Sequence, residues 1–198
     1  MERGRWHLRC SQNLDALAGK PNSGMTHVLL LTGRPGVGKT TVIRKVATGL
    51  AGRRLGGFYT EEIRVDGERR GFSLTSFDGR QGRMAHVDLR GRDRVGRYGV
   101  DVAVIDELAA STLALSPDLS VYLVDEIGKM ECLSPAFIKA MRALLDSPKK
   151  VVATIGARGG GFIAEVKARE DAEVLVVTPG NRDELPDRVL AWLGRGSR

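Results

Sequence analysis

The chain has 198 residues, 42% of hydrophobic type and 28% charged, with a formal net charge of +7. That length suits one domain with a substantial core. No apolar run approaches the roughly 20 residues that cross a bilayer, and two cysteines, Cys10 and Cys132, form neither a metal-binding spacing nor a disulfide framework, which points to a reduced, cytoplasmic setting with no membrane partner.

The first ten residues, MERGRWHLRC, are basic, but no apolar stretch follows, which argues against a secretory leader. Residues 1–24 read as a flexible N-terminal extension ending in GKPNSG, residues 25–194 as the folded domain, and residues 195–198 as a tail. Met25 stands directly before the first predicted strand, Val28-Leu29-Leu30-Leu31. Next comes GRPGVGKT, residues 33–40, which fits the phosphate-loop pattern G-x-x-x-x-G-K-[ST]. Behind it, Val42, Ile43, Val46, Ala47 and Leu50 recur at helical spacing. A buried strand, a glycine loop and a helix are the context in which this pattern binds polyphosphate.

The residue types match that chemistry. Gly33, Gly36 and Gly38 accept backbone angles closed to other residues and let phosphate oxygens approach the main chain. The N–H groups across Arg34, Pro35, Gly36, Val37 and Gly38, proline excepted, then turn inward as an anion nest at the positive end of the following helix. Lys39 brings a compact positive charge to the β- and γ-phosphates, Thr40 offers a hydroxyl to Mg²⁺, and Thr41 lies within reach of the α-phosphate.

From residue 56 the chain reads GGFYTEEIRVDGERRGFSLTSF, two β-rich runs about Asp66-Gly67, a strong hairpin signal. An irregular basic stretch follows to Tyr98. Between Arg64 and Arg97 nine arginines face five acids. That excess is compatible with a nucleic-acid footprint, a solvated face, or a field drawing in a nucleotide. It carries no aromatic-interleaved basic motif, so nucleic acid is the less favoured partner. Residues 101–115 have helical periodicity. Residues 120–124 form a second buried strand ending in Asp125-Glu126. Ser134-Pro135 then starts a helix whose apolar face is Phe137, Ile138, Met141, Leu144 and Leu145. Strands at 151–155 and 174–178, a short helix at 163–169 and a last helix near 187–193 complete the pattern. The reading is an α/β fold, a P-loop three-layer sandwich with a mostly parallel sheet and an inserted antiparallel hairpin. Ligands of such sheets lie beyond the carboxyl ends of the strands, so residues 33–41, Asp125-Glu126 and Thr154 are expected to converge.

The strand ending in Asp125-Glu126 has the Walker B form. Asp125 is expected to hold Mg²⁺ together with Thr40, and Glu126 to act as the base on the attacking water. The chain between the two motifs has room for an extra strand separating theirs. Lys129, Thr154, and the arginines at 34, 64, 70 and 158 are further candidates for contact with phosphate or transition-state charge. Each has an ordinary structural alternative.

In order along the chain stand GRPGVGKTT, GFYTEEIR, RRGF, VGRYGVD, VDEIGKME, ATI and Asn181-Arg182. Together these motifs resemble the small thermophile NTPase family, which includes the cancer-related nucleoside-triphosphatase, over residues 26–193. The resemblance implies a RecA-like domain that hydrolyses several nucleoside triphosphates, ATP and GTP among them, slowly and with loose base preference. It extends the second nucleotide segment through Ile127 and Gly128, and it suggests a base or ribose contact from Asn181 and Arg182, where helix capping is the plain alternative. The chain departs from the family in residues 1–24, in the glycine-rich stretch 156–162, and at Cys132 and Leu133. Two other readings are a kinase-like phosphotransferase, with Glu61 and Glu62 near the acceptor, and a nucleotide-controlled switch or nucleic-acid-stimulated ATPase.

Overall fold

The computed structural model describes residues 26–195. The expected extension at 1–24 and the last residues of the expected tail lie outside them. In β1 (Val28–Gly33) the four residues Val28 to Leu31 are all fully buried. A strand covered on both faces needs apolar side chains at every position, which is why its sequence shows no alternation. The chain turns through the glycine loop into α1 (Lys39–Gly49) and enters β2 (Leu55–Val65). Asp66 and Gly67, with φ of 50° and 78°, make the tight turn into β3 (Glu68–Ser76). Positive φ at both central residues gives a hairpin the twist its strands need.

The stretch read as irregular contains three more strands, β4 (Gln81–His86), β5 (Arg94–Val95) and β6 (Tyr98–Val100). In β4, QGRMAH has no β-branched residue, and β5 and β6 are too short to carry a period. Next come α2 (Val102–Thr112), capped by the Asp101 side chain accepting from Val104 N–H, and β7 (Val121–Ile127). Ser134 caps α3 (Pro135–Leu145) through a 2.8 Å bond from Phe137 N–H, a contact worth about 1 kcal/mol. Helix α3 buries Phe137, Met141, Leu144 and Leu145, roughly 1.5–3 kcal/mol each. The chain ends with β8 (Lys150–Gly156), α4 (Phe162–Lys167), β9 (Ala172–Val176) and α5 (Leu185–Gly194).

The nine strands of the described residues form one sheet in the order β5-β6-β4-β3-β2-β7-β8-β1-β9. From β2 to β9 the pairings are parallel. From β2 outward to β5 they are antiparallel. The α/β sheet with a parallel core is as expected, but half of its pairings are antiparallel because the single hairpin is enlarged to a four-stranded addition beyond β2. A strand does separate the two motif-bearing strands, but it is β8, which follows the second motif in the chain. It is not drawn from the segment between them.

Two cores flank the sheet. Leu29, Leu31, Leu123 and Val152 pack with residues of α1 and α5, while Leu30, Tyr122, Val124 and Ala153 pack with residues of α2, α3 and α4. β2 joins the two halves of the sheet, and Gly57 makes the join possible. Its φ is 95°, and a Cβ there would lie 1.9 Å from the carbonyl oxygen of Leu123.

Candidate nucleotide-hydrolysis site

The glycine loop wraps the start of α1. Val37 N–H donates to the carbonyl of Arg34, and Gly36 and Gly38 have φ of 75° and 110°. Among the described residues no side chain caps α1, and the residue at its N-cap, Gly38, is left-handed. The N–H groups of that turn are therefore not taken by a side-chain cap, as a phosphate site requires. Gly33 has a packing reason as well: a Cβ there would come 2.7 Å from the carbonyl oxygen of Val177.

Lys39 is 9% exposed. Its ammonium lies 3.5 Å from the carbonyl oxygen of Gly33 and 3.3 Å from Glu126 Oε2. Asp125, at the carboxyl end of β7, is 2% exposed. It accepts from Thr40 Oγ1 at 2.6 Å and from Thr154 Oγ1 at 2.5 Å, one hydroxyl on each carboxylate oxygen. The N–H of Thr60 approaches Oδ2 at 3.4 Å, and the Thr60 hydroxyl donates to the Asp125 carbonyl. Burial pushes the Asp125 carboxyl above its usual range, against the pull of the Thr154 and Thr40 hydroxyls. The register of β7 on β8 shifts between Val124 and Ile127, and the Asp125–Glu126 peptide is cis.

The glycine loop, Asp125, Glu126 and Thr154 thus meet at one end of the sheet. Ile127 is buried in the core facing α3 rather than turned to the loop. Gly128 leaves room for two carboxyl groups beside it. The Thr154 hydroxyl donates to Asp125 Oδ1. It braces Asp125. Thr60 escaped sequence reading because a threonine in a strand is unremarkable. Glu131, 4% exposed in the turn after β7, escaped it because an acid beside a loop reads as solvated.

The later segment divides. The Asn181 amide donates to the Val176 carbonyl at 2.9 Å and accepts from Thr178 N–H at 2.9 Å, so it ties down the turn after β9. That is a local backbone role, nearer to the capping alternative. The stem of Arg182 packs over the glycine loop, with Cδ 3.5 Å from the position of a Gly38 Cβ. Two of the candidate arginines are committed elsewhere, Arg64 to Glu62 and Arg70 to Asp88. Glu61 and Glu62 are paired too, with Arg44 and with Arg64 and Arg69 respectively. Arg34, Lys129 and Arg158 are exposed.

The NTPase family model matches residues 28–190, which takes in every element from β1 into α5. The chain belongs to the NTPase family. Among its NTPase relatives, the nucleoside-triphosphatase THEP1 of Thermotoga sp. (strain RQ2) is 40% identical over 166 residues, covering 83% of this chain and 94% of that protein. The human cancer-related nucleoside-triphosphatase is 38% identical over 182 residues, 83% of this chain and 96% of that one. The crystal structure of THEP1 from the hyperthermophile Aquifex aeolicus superimposes with a TM-score of 0.77 at 34% identity, over 84% of this chain and 99% of that one. No helix among the described residues is long and apolar enough to cross a membrane.

Proposed function

We propose that this chain hydrolyses nucleoside triphosphates to the diphosphate and inorganic phosphate, accepting ATP, GTP and other bases, with Mg²⁺ bound beside the substrate. The observation that carries the reading is the anchoring of Asp125 between Thr40 and Thr154 while Glu126 stands on Lys39. The glycine loop supplies amide donors, and Lys39 supplies charge to the β- and γ-phosphates. Lys39 and Glu126 are each other's partner before substrate arrives. An incoming polyanion draws the ammonium toward phosphate and releases Glu126, which then orients water and takes its proton. A positioned base of this kind contributes roughly 10²–10⁴ in rate.

The donor set fits Mg²⁺. This ion is typically held by one or two protein oxygens, substrate phosphates and retained waters. Thr40 Oγ1 and Asp125 Oδ2, 2.6 Å apart, are such a pair, and among the described residues no side-chain cation pairs with the Asp125 carboxylate. When bound, the ion would neutralise charge on the phosphate oxygens.

The test is phosphate release across the common nucleoside triphosphates, with and without Mg²⁺, on the intact chain and on Glu126→Gln. The variant should lose at least about 100-fold in kcat and still bind nucleotide. Undiminished turnover would remove Glu126 from the mechanism. Failure of the intact chain to release phosphate from any triphosphate would end the reading.

A further inference from the structure

One buried acid stands unused by this mechanism. Glu131 begins the short 3-10 turn Glu131–Leu133, immediately beyond the end of β7. Its Oε2 lies 2.7 Å from the point a Cβ on Gly128 would occupy, and Glu126 Oε1 lies 3.0 Å from that same point. Two carboxyl groups therefore meet over one glycine, in space that any other residue at 128 would fill. The two oxygens of Glu126 are thus in different surroundings: Oε2 is 3.3 Å from the Lys39 ammonium, and Oε1 lies on the Gly128 side, near the same point as Glu131 Oε2. Among the described residues no ion pair reaches Glu131. The N–H groups of Glu131 itself and of Gly128 approach its carboxyl.

We propose that Glu131 is a positioning residue for hydrolysis, whose uncharged carboxyl backs Glu126 and holds it in the orientation that receives the proton of the attacking water. The proposal rests on the reading of Glu126 as the base. Two like charges in this space would repel, driving Glu126 from its place or forcing it to hold a proton of its own. Either outcome disables the base, so Glu131 has to stay neutral while Glu126 is charged.

The surroundings supply that condition. Burial pushes the Glu131 carboxyl up to about 8, and the charges of Glu126 and Asp125 on β7 push the same way. The other groups on neighbouring elements do not reverse it. Asp106 on α2 is bonded to the Ser134 hydroxyl, and the Cys132 thiol is itself pushed up to about 12 by burial and by Glu131. The first residues of α3, Pro135 to Ile138, carry no charge, Lys129 and Lys139 are exposed, and Lys39 is on the far oxygen of Glu126. Neutral at pH 7, Glu131 ionises as pH passes about 8, and turnover should fall there.

Steady-state phosphate release from ATP and Mg²⁺ between pH 6 and 10 tests this on the full chain, using Glu131→Gln and Glu131→Ala. Glutamine imitates the neutral carboxyl. It should keep kcat within about threefold at pH 7 and remove the fall near pH 8, while alanine should lose about tenfold in kcat with KM within about twofold. An unchanged fall near pH 8 in Glu131→Gln, or a wild-type kcat in Glu131→Ala, overturns the proposal. Melting curves across the same range keep the test decisive where alanine unfolds the chain. The unfolded chain releases this proton near 4.5 and the folded chain near 8, so wild type should lose stability relative to Glu131→Gln as pH rises between those values. Parallel melts would also overturn it. Glu126→Gln separates the two readings: turnover retained there defeats the base assignment, whereas an inactive Glu126→Gln beside an unaltered Glu131→Gln profile defeats the role of Glu131 alone.

Discussion

In the antiparallel half of the sheet, opposite charges meet on the surface. Arg64 and Arg69 share Glu62, Arg70 meets Asp88, and Arg80 meets Asp78. Arg94 and Arg97 donate to backbone carbonyls of neighbouring segments. In the parallel half, Asp125 and Glu131 are buried with no ion pair among the described residues, and Lys39 pairs there with the Glu126 carboxylate beside the Gly33 carbonyl. Exposed pairs of the first kind contribute roughly 0–1 kcal/mol each. A buried acid without a cationic partner costs several kcal/mol when ionised. The basic excess at 64–97 is thus largely matched to acids and carbonyls of its own sheet. At the strand ends of the parallel half the ionisable groups are fewer and buried or half-buried, with Lys39 and Glu126 paired.

Three substitutions would break or sharpen this contrast. The largest effect is expected at the join. Gly57→Ala puts a methyl group against the Leu123 carbonyl in a backbone conformation that alanine resists, and should cost about 3 kcal/mol in urea unfolding. Near-wild-type stability would mean that β2 couples the halves only loosely. Second, Thr154→Val removes a donor from the buried Asp125 while keeping the shape of the side chain. It should lower kcat about tenfold at a stability cost of roughly 1–3 kcal/mol, read by kinetics and melting together. A full kcat would show that Thr40 alone orients Asp125. The smallest effect belongs to Glu62→Ala, which strips two arginines of their carboxylate. Stability should change by no more than about 1 kcal/mol and kcat should not change. A marked loss of turnover would carry the site into the antiparallel half.

Much of this arrangement was legible beforehand, and the reasons are local. Val28 to Leu31 followed by the glycine loop is a strand and turn written in adjacent residues, as are the hairpin at Asp66-Gly67 and the Ser134-Pro135 helix start. What escaped was non-local. The position of β8 between β7 and β1 depends on which strand wins a neighbour in the sheet, and nothing within VVATIG states that choice. Thr154 was expected at this end of the sheet, but that its hydroxyl donates to Asp125 was not legible, and Thr60, 65 residues from Asp125 in the chain, was not seen at all. Glu131 needed knowledge of the empty space at Gly128 before its burial made sense. The motif around Asn181 left a base contact and a capping role both open, and the hydrogen bonds of its amide to the turn's own backbone are not written in the motif.

The strand order also bears on how the chain comes off the ribosome. The sheet neighbours of β1 are β8 and β9, both made well after it. The glycine loop is therefore synthesised on a strand that has no edge to dock against until those two follow. Nascent chains stopped before β8 should be unable to retain nucleotide however complete their first motif is, and the two acids of β7 emerge ahead of the strand that spaces them from it.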